Sequence, residues 1–277
     1  MKQCQALFHP RAQSQRERPG ARVASPPMLP RNTEKMLAEL RDDEVVLDVG
    51  AWGAPFNRAD WVLDAMPYET RGPMGSYGPG PERFNEERWV IRDFCDREPW
   101  PWPDDFFDFS LCVTTLEDIR DPVWVCSELS RVSKRGYIEV PTLISELAYG
   151  GQGPWCGFEH HRWLCWVRDG GIEFMHKPHS IHSDWRVRVP PRHAAKMTEE
   201  DHLQPLFWEG ELPAHERVVV GPYPLGELEE QVRAVLQPSA LEIRAKEARD
   251  RLWDARNSAM KPVRSARDAL LRRLARK

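Results

Sequence analysis

Short blocks of branched apolar residues recur along the first half of the chain, and each stops abruptly at a polar or proline residue. "VVLDVG" (45–50), "WVLDAM" (61–66), "WVIRDF" (89–94), "FSLCVTT" (109–115) and "GYIEVP" (136–141) are too short for helices and too apolar for surface strands. Runs of this kind predict strands buried on both faces, as in a parallel sheet. "DPVWVCSELSRVS" (121–133) has a different period. Its Val125, Leu129 and Val132 share one helical face, and Pro122 suits a first turn. "NTEKMLAELRDDE" (32–44) reads as a short amphipathic helix behind an Asn/Thr cap. Strand, helix and strand thus alternate from 45 to 141, which predicts an α/β doubly wound, mostly parallel Rossmann-like sheet.

Beyond 141 the pattern changes. "RWLCWVRDGGIEFMH" (162–176) reads as a hairpin and "ERVVV" (216–220) as a further strand. The Pro/Gly-rich "RGPMGSYGPGP" (71–81) is a loop. Residues 1–30 mix Pro, Arg, Gln and Ser without periodicity and are expected to be a disordered arm. The domain itself is expected at 31–225, followed by a basic amphipathic helical extension at 226–277. Residues 241–277 hold twelve Lys/Arg against five Asp/Glu, with apolar positions spaced three and four apart. That stripe is mostly alanine, so it suits weak contact with a membrane surface, a partner helix or a homodimer mate.

Composition narrows the function classes. The 277 residues carry a net charge of −4, against the strong basic field of a dedicated nucleic-acid binder. Six cysteines contain no CxxC pair and no dense framework. Together with the absence of a signal-peptide pattern and of any membrane-span-length run, this points to a reducing cytoplasm.

The strand ends hold the candidate chemistry. Ligands of a parallel sheet bind beyond its carboxyl ends, near the point where strand order reverses. Asp48 ends the first strand, and Gly50 and Gly53 follow in a loop that lets a ligand approach the backbone. Asp64 ends the second strand, where a carboxylate can take both hydroxyls of a ribose. Asp93 ends the third beside Phe94, a pairing suited to an exocyclic amine and the face of an adenine. The loop lacks the GxGxxG spacing of a nicotinamide dehydrogenase.

Taken in order, "VLDVGAWG", "VLDAMPYE", "IRDF", "FDFSLCVTTLEDIRDP" and "ELSRVSKRGYIEVP" resemble the class I S-adenosylmethionine-dependent methyltransferases over about residues 43–142. The Pro-Phe after the glycine loop, "RGYIEVP" and a later His-Arg-Trp are similar to a variant found among glycan-biosynthesis proteins. The resemblance implies S-adenosylmethionine as cofactor. Asp48, Gly50 and Gly53 would lie near its amino-acid end, Asp64 at the ribose, Asp93 and Phe94 at the adenine, and Thr114 on the methyl-transfer side. Three features depart from the family. The loop is "GAWGAP", without a third glycine; Leu116-Glu117-Asp118 stands where Leu-Glu-His is common; and no Pro-Gly-Gly precedes the fifth strand.

Methyl transfer needs an aligned nucleophile and, for a protonated acceptor, a base. "GPWCGFEHHRWLCW" (153–166) concentrates suitable groups after the fifth strand. His160 or His161 is the candidate base, Glu159 its orienting partner and Arg162 an anion clamp. Trp155 and Trp163 are candidate walls of an acceptor pocket. The bland alternative makes the tryptophans core and the histidines surface groups. Cys156-x3-His160-His161-x3-Cys165 departs from the CxxC-paired spacing of zinc sites, so no metal is expected. "HKPHSIH" (176–182) reads as an exposed loop, and Trp100 and Trp102 as packing. Two functions follow: methyl transfer to a small molecule or glycan precursor, or a catalytically degenerate module acting as a scaffold.

Overall fold

The structure, a computed structural model, describes residues 29–150, 153–220 and 225–236, and positions 244, 248, 249, 251, 252, 255 and 258 beyond them. Helix α1 (Pro30–Glu39) leads into strands β1 (Val46–Val49), β2 (Trp61–Asp64), β3 (Trp89–Ile91) and β4 (Phe109–Val113). Helix α2 (Pro122–Val132), strand β5 (Arg135–Pro141) and the short helix α3 (Leu143–Leu147) follow. The hairpin β6 (Trp163–Arg168) and β7 (Gly171–His176) precedes helices α4 (Pro191–Ala194) and α5 (Glu199–His202). Strands β8 (Leu203–Glu209) and β9 (Ala214–Glu216) and helix α6 (Leu225–Leu236) complete the described elements.

Six strands form one sheet in the order β3-β2-β1-β4-β5-β8, parallel except for the antiparallel edge strand β8. The α/β, mostly parallel Rossmann-like fold predicted from the sequence is therefore present. Strand order reverses between β1 and β4, so the switch point lies where their carboxyl ends meet. A second sheet, β6-β7-β9, packs beside it. Alternation along β1 divides the core: Leu47 and Val49 join Val125, Leu129 and Val132 of α2 and Cys165, Ile172 and Phe174 of the second sheet. On the other face Val46 meets Met36, Phe56, Phe109 and Tyr137. Burying each aliphatic side chain of the α2 face contributes about 1.5–3 kcal/mol.

Several expectations need correction. The connections β1–β2, β2–β3 and β3–β4 contain no α-helix; only β4–β5 carries one, α2. Strand β8 was not anticipated, because Pro205 interrupts its pattern. Proline is tolerated there since β8 is a sheet edge. Residues 217–220 form no strand, and β9 lies at 214–216 instead. The arm boundary at 30 is also too late. Leu29 is buried with its N–H on the Glu139 carboxylate, and Asn32 Nδ2 donates to the Tyr137 hydroxyl at 2.9 Å. At the other end, Leu228 and Val232 of α6 join a third apolar cluster, so a boundary at 225/226 cuts into packed structure. Residues 1–28 and most of 241–277 lie outside the described residues.

Other expectations hold in the structure. The hairpin turns through Asp169 and Gly170, both at positive φ. Trp100 and Trp102 are core residues, and the Trp100 N–H donates to Glu128 Oε2. At Gly136, β5 passes so close to its neighbours that an added Cβ would lie 2.4 Å from the Ser110 carbonyl and 2.7 Å from Trp208. Gly136→Ala should therefore lose about 1–3 kcal/mol through overpacking. Chemical denaturation will read this as a lower midpoint, and an unchanged midpoint would show that the sheet yields there.

Candidate active site

At the switch point the loop joining β1 to β2 is fastened by side-chain carboxylates. Asp48 is buried, and its Oδ2 accepts the Phe56 N–H at 2.9 Å. Asp64, 5% exposed, accepts the Trp52 N–H on Oδ2 and the Met66 N–H on Oδ1, each at 2.8 Å. Burial pushes the Asp48 carboxyl up to about 7; the Phe56 N–H opposes this and the nearby Asp64 charge adds to it. Burial raises Asp64 too, against the N–H groups of Met66 and Trp52. Gly50 has φ +75°, and a Cβ there would lie 2.4 Å from Thr115 Cγ2. Gly53 has ordinary backbone geometry and faces only the tip of Met74. The glycine loop thus rests on Thr115, whose hydroxyl donates to the Val113 carbonyl.

The third strand end differs from expectation. The Asp93 carboxylate is half-exposed, accepts the Cys95 N–H at 3.1 Å and pairs with Arg120 at 2.7 Å. Phe94 is core, with its carbonyl accepting from Trp100 Nε1, and so is not placed to face a ligand. Thr114 is exposed and held at φ +45°, an unusual backbone state for a β-branched residue. Its N–H bonds the Glu139 carbonyl, so the strained turn sits between β4 and β5.

Three residues past Thr115 the chain meets a second group of functional side chains. The Asp118 N–H bonds the Thr115 carbonyl, so this group is tied to the glycine loop through one residue. His160 Nε2 lies 3.9 Å from Asp118 Oδ2 and His161 Nε2 lies 3.7 Å from Asp118 Oδ1. His161 Nδ1 is 2.5 Å from Glu146 Oε1 of α3, and its ring stacks on Phe158. The other Glu146 oxygen takes the Lys177 ammonium, which also donates to the Phe158 carbonyl. Glu146 and Lys177 are both buried. His161 therefore bridges the segments that follow β4 and β5, and His160 meets the one after β4. His161 is held from both sides, and His160 is exposed.

The remaining candidates are distributed differently. Glu159 is exposed, and Glu146 rather than Glu159 orients His161. Trp163 is core and donates from Nε1 to the Ile119 carbonyl at 2.7 Å, which anchors the loop after β4 instead of lining a pocket. Trp155 packs edge-on against His182 and makes no ring contact with His160 or His161 among the described residues. Arg162 is exposed; its N–H reaches the Glu117 carbonyl, and its charge lies near enough to Asp118 to favour that carboxylate. Cys156 and Cys165 belong to different apolar clusters, so the Cys–His spacing does not assemble. His182 is not a free loop residue either, because its Nδ1 accepts the Cys156 N–H.

Four participants escaped sequence reasoning: Asp118, Glu146, Lys177 and Glu117. Asp118 stood out only as a departure from Leu-Glu-His. Glu146 lies in an ordinary helical turn, "LISEL", that carries no chemical signal. Glu117 is the most unusual of them. Neither of its carboxylate oxygens meets a hydrogen-bond donor from another described residue. Burial, reinforced by Asp118, pushes its carboxyl well above the ordinary range.

No protein-family model matches the sequence, and no curated protein does. Solved structures overlap part of the chain. A protein from Haloferax volcanii, solved with the methyltransferase activator Trm112, is 18% identical with a TM-score of 0.29, over 39% of this chain and 50% of its own. A SAM-dependent methyltransferase from Aquifex aeolicus is 18% identical at TM-score 0.27, over 40% and 65%. One from Mesorhizobium loti is 13% identical at 0.27, over 52% and 62%. The chain thus spans about half to two thirds of the length of these structures, and the fold assignment rests on the strand order above.

The raised carboxyl at Asp48 predicts a pH dependence. Its proton is bound more tightly in the folded than in the unfolded chain, so its contribution to stability is full below pH 3.8 and is lost as pH rises to about 7. Asp48→Asn retains an acceptor for Phe56 but cannot ionise. Relative to wild type, that variant should gain stability between about pH 4 and about pH 7. Urea titrations at several pH values will measure the difference; one that does not change with pH would refute the assignment.

Proposed function

We propose that this chain transfers a methyl group from S-adenosylmethionine to a small molecule or glycan precursor in the cytoplasm. One juxtaposition carries the reading. Carboxylates stand one residue before the end of β1, at the end of β2 and just after β3, on the sheet edge that holds the switch point, with an imidazole–carboxylate group beside the same glycine loop through Thr115. The donor set fits the cofactor at two of its ends. Asp64 uses one lone pair of each oxygen on backbone N–H groups and keeps others for the ribose hydroxyls. The half-exposed Asp93 would receive the adenine amine in exchange for Arg120. When bound, S-adenosylmethionine supplies an electrophilic methyl on a sulfonium sulfur, which leaves as a neutral thioether.

The chain's own residues supply orientation and proton handling. Glu146 and the Phe158 ring fix His161, while His160 is free to receive an acceptor proton. Asp118 beside it stabilises the resulting imidazolium. Arg162, exposed next to Asp118, suits an anionic group on the acceptor.

A second reading has its own support. The glycine loop is not followed by a helix, so no helix N-terminus faces the amino-acid end of the cofactor. Trp52 also crosses that loop, donating to Thr70. These features suit a degenerate module that serves as a scaffold. Calorimetry with S-adenosylhomocysteine separates the two: the enzyme binds it, the scaffold does not.

For the enzyme, Asp64→Ala should weaken that binding by roughly 1.5–3 kcal/mol. Affinity unchanged within error would remove Asp64 from the site. His160→Ala should leave cofactor affinity intact and lower turnover by ~10²–10⁴-fold, as loss of a general base does. Full turnover in that variant would dismiss His160 as the base.

A further inference from the structure

Asp118, His160 and His161 offer one oxygen and two nitrogens that all lie within 4.8 Å of one another. We propose that they bind a divalent transition-metal ion, with its open coordination positions facing an acceptor oxygen. The metal site stands on this geometry alone; only its use in methyl transfer rests on the function proposed above.

The protonation pattern leads to the cation. A carboxylate can only accept, so Glu146 against Nδ1 requires the His161 proton to sit on Nδ1. In the neutral ring Nε2 then carries a lone pair, and it faces Asp118 Oδ1 across 3.7 Å. That oxygen is buried and meets no hydrogen-bond donor among the described residues. Two lone-pair atoms at that distance repel unless a positive centre lies between them, either a proton on Nε2 or a bound ion. The gap is too long for a direct hydrogen bond. Atoms bound at ~2.1 Å to one ion lie ~3–4 Å apart, which matches the spacing from Asp118 to each imidazole.

The surroundings have the form of a metal site's outer shell. A histidine ligand usually donates its other ring N–H to a carboxylate, which fixes the tautomer and raises the basicity of the ligating nitrogen. Glu146 does this for His161 and is itself held by Lys177. Its negative charge is balanced by Lys177, so it does not compete for the cation. His161 is nearly buried while Asp118 and His160 remain accessible, leaving the outer side of the group open. Two imidazoles and one carboxylate suit zinc, manganese or iron(II) better than magnesium, which prefers oxygen ligands. With the ion bound, His160 is a ligand and no longer the base: an acceptor hydroxyl bound there would be acidified by the ion, and its proton would pass to solvent.

The test uses the full chain, without an affinity tag and stripped with a chelator, titrated calorimetrically with Zn²⁺, Mn²⁺ and Mg²⁺. One equivalent of Zn²⁺ or Mn²⁺ should bind, and Mg²⁺ much more weakly. Asp118→Asn and His160→Ala, both at accessible positions, should keep the wild-type melting temperature. Each should lose more affinity than the ~10–100-fold typical of a missing outer-shell partner. Saturation by neither Zn²⁺ nor Mn²⁺, or equal affinity in both variants, would overturn the inference. S-adenosylhomocysteine is titrated into the same samples. Cofactor binding without metal binding rejects the cation and leaves the methyltransferase reading intact. Metal binding without cofactor binding supports the site and rejects that reading.

Discussion

Two parallel strands, β1 and β2, are joined by only eleven residues, 50–60, and by no helix. Parallel crossovers usually take a dozen residues or more and use a helix to satisfy their backbone. Here the loop's polar groups must find other partners, because a buried N–H left unmatched is costly. Asp48 takes the N–H of Phe56 and Asp64 takes that of Trp52. Asn57 ties the following Pro/Gly-rich loop by donating to the Gly78 and Gly80 carbonyls. The strand-end carboxylates therefore hold the fold together at the point where a ligand would bind. Burial at that point raises their proton affinity, and the N–H groups they hold oppose the rise.

The second sheet supplies what the main sheet lacks. Trp163 pairs with His176 across the hairpin, and the Lys177 N–H reaches the Arg162 carbonyl. This brings His161 and Lys177 to the same carboxylate of α3. Trp163, buried and bonded to Ile119, locks the loop after β4 against the hairpin. The imidazoles, Asp118 and Glu146 thus come from three segments whose only shared feature is the carboxyl edge of the sheet. Glu117, buried beside Asp118, has no hydrogen-bond donor on either carboxylate oxygen among the described residues, and its burial favours the neutral form.

Much of the core was readable because burial on both faces leaves an uninterrupted apolar run, and only a strand fits so short a run. The five parallel strands, α2 with its Val125 face and the β6–β7 hairpin follow from that rule. The places where it misled have local physical causes. β8 hides behind Pro205, which an edge position tolerates. Phe94 and Trp163 look ligand-facing in the sequence, because an aromatic next to a charged residue has the same pattern whether it points inward or outward. Their direction depends on which core they can fill.

The sequence by itself determined the strand ends, because a carboxylate or glycine that stops an apolar run is a local event. It therefore placed Asp48, Gly50, Asp64 and Asp93 at one edge of a sheet, and His160 and His161 in the segment after the fifth strand. Tertiary structure alone decided which groups meet. Glu146 and not Glu159 holds His161, Thr115 and not Thr114 supports Gly50, and Arg120 covers Asp93. These partnerships depend on chain segments tens of residues apart arriving within hydrogen-bond distance, and the periodicity of one segment carries no record of where another will end.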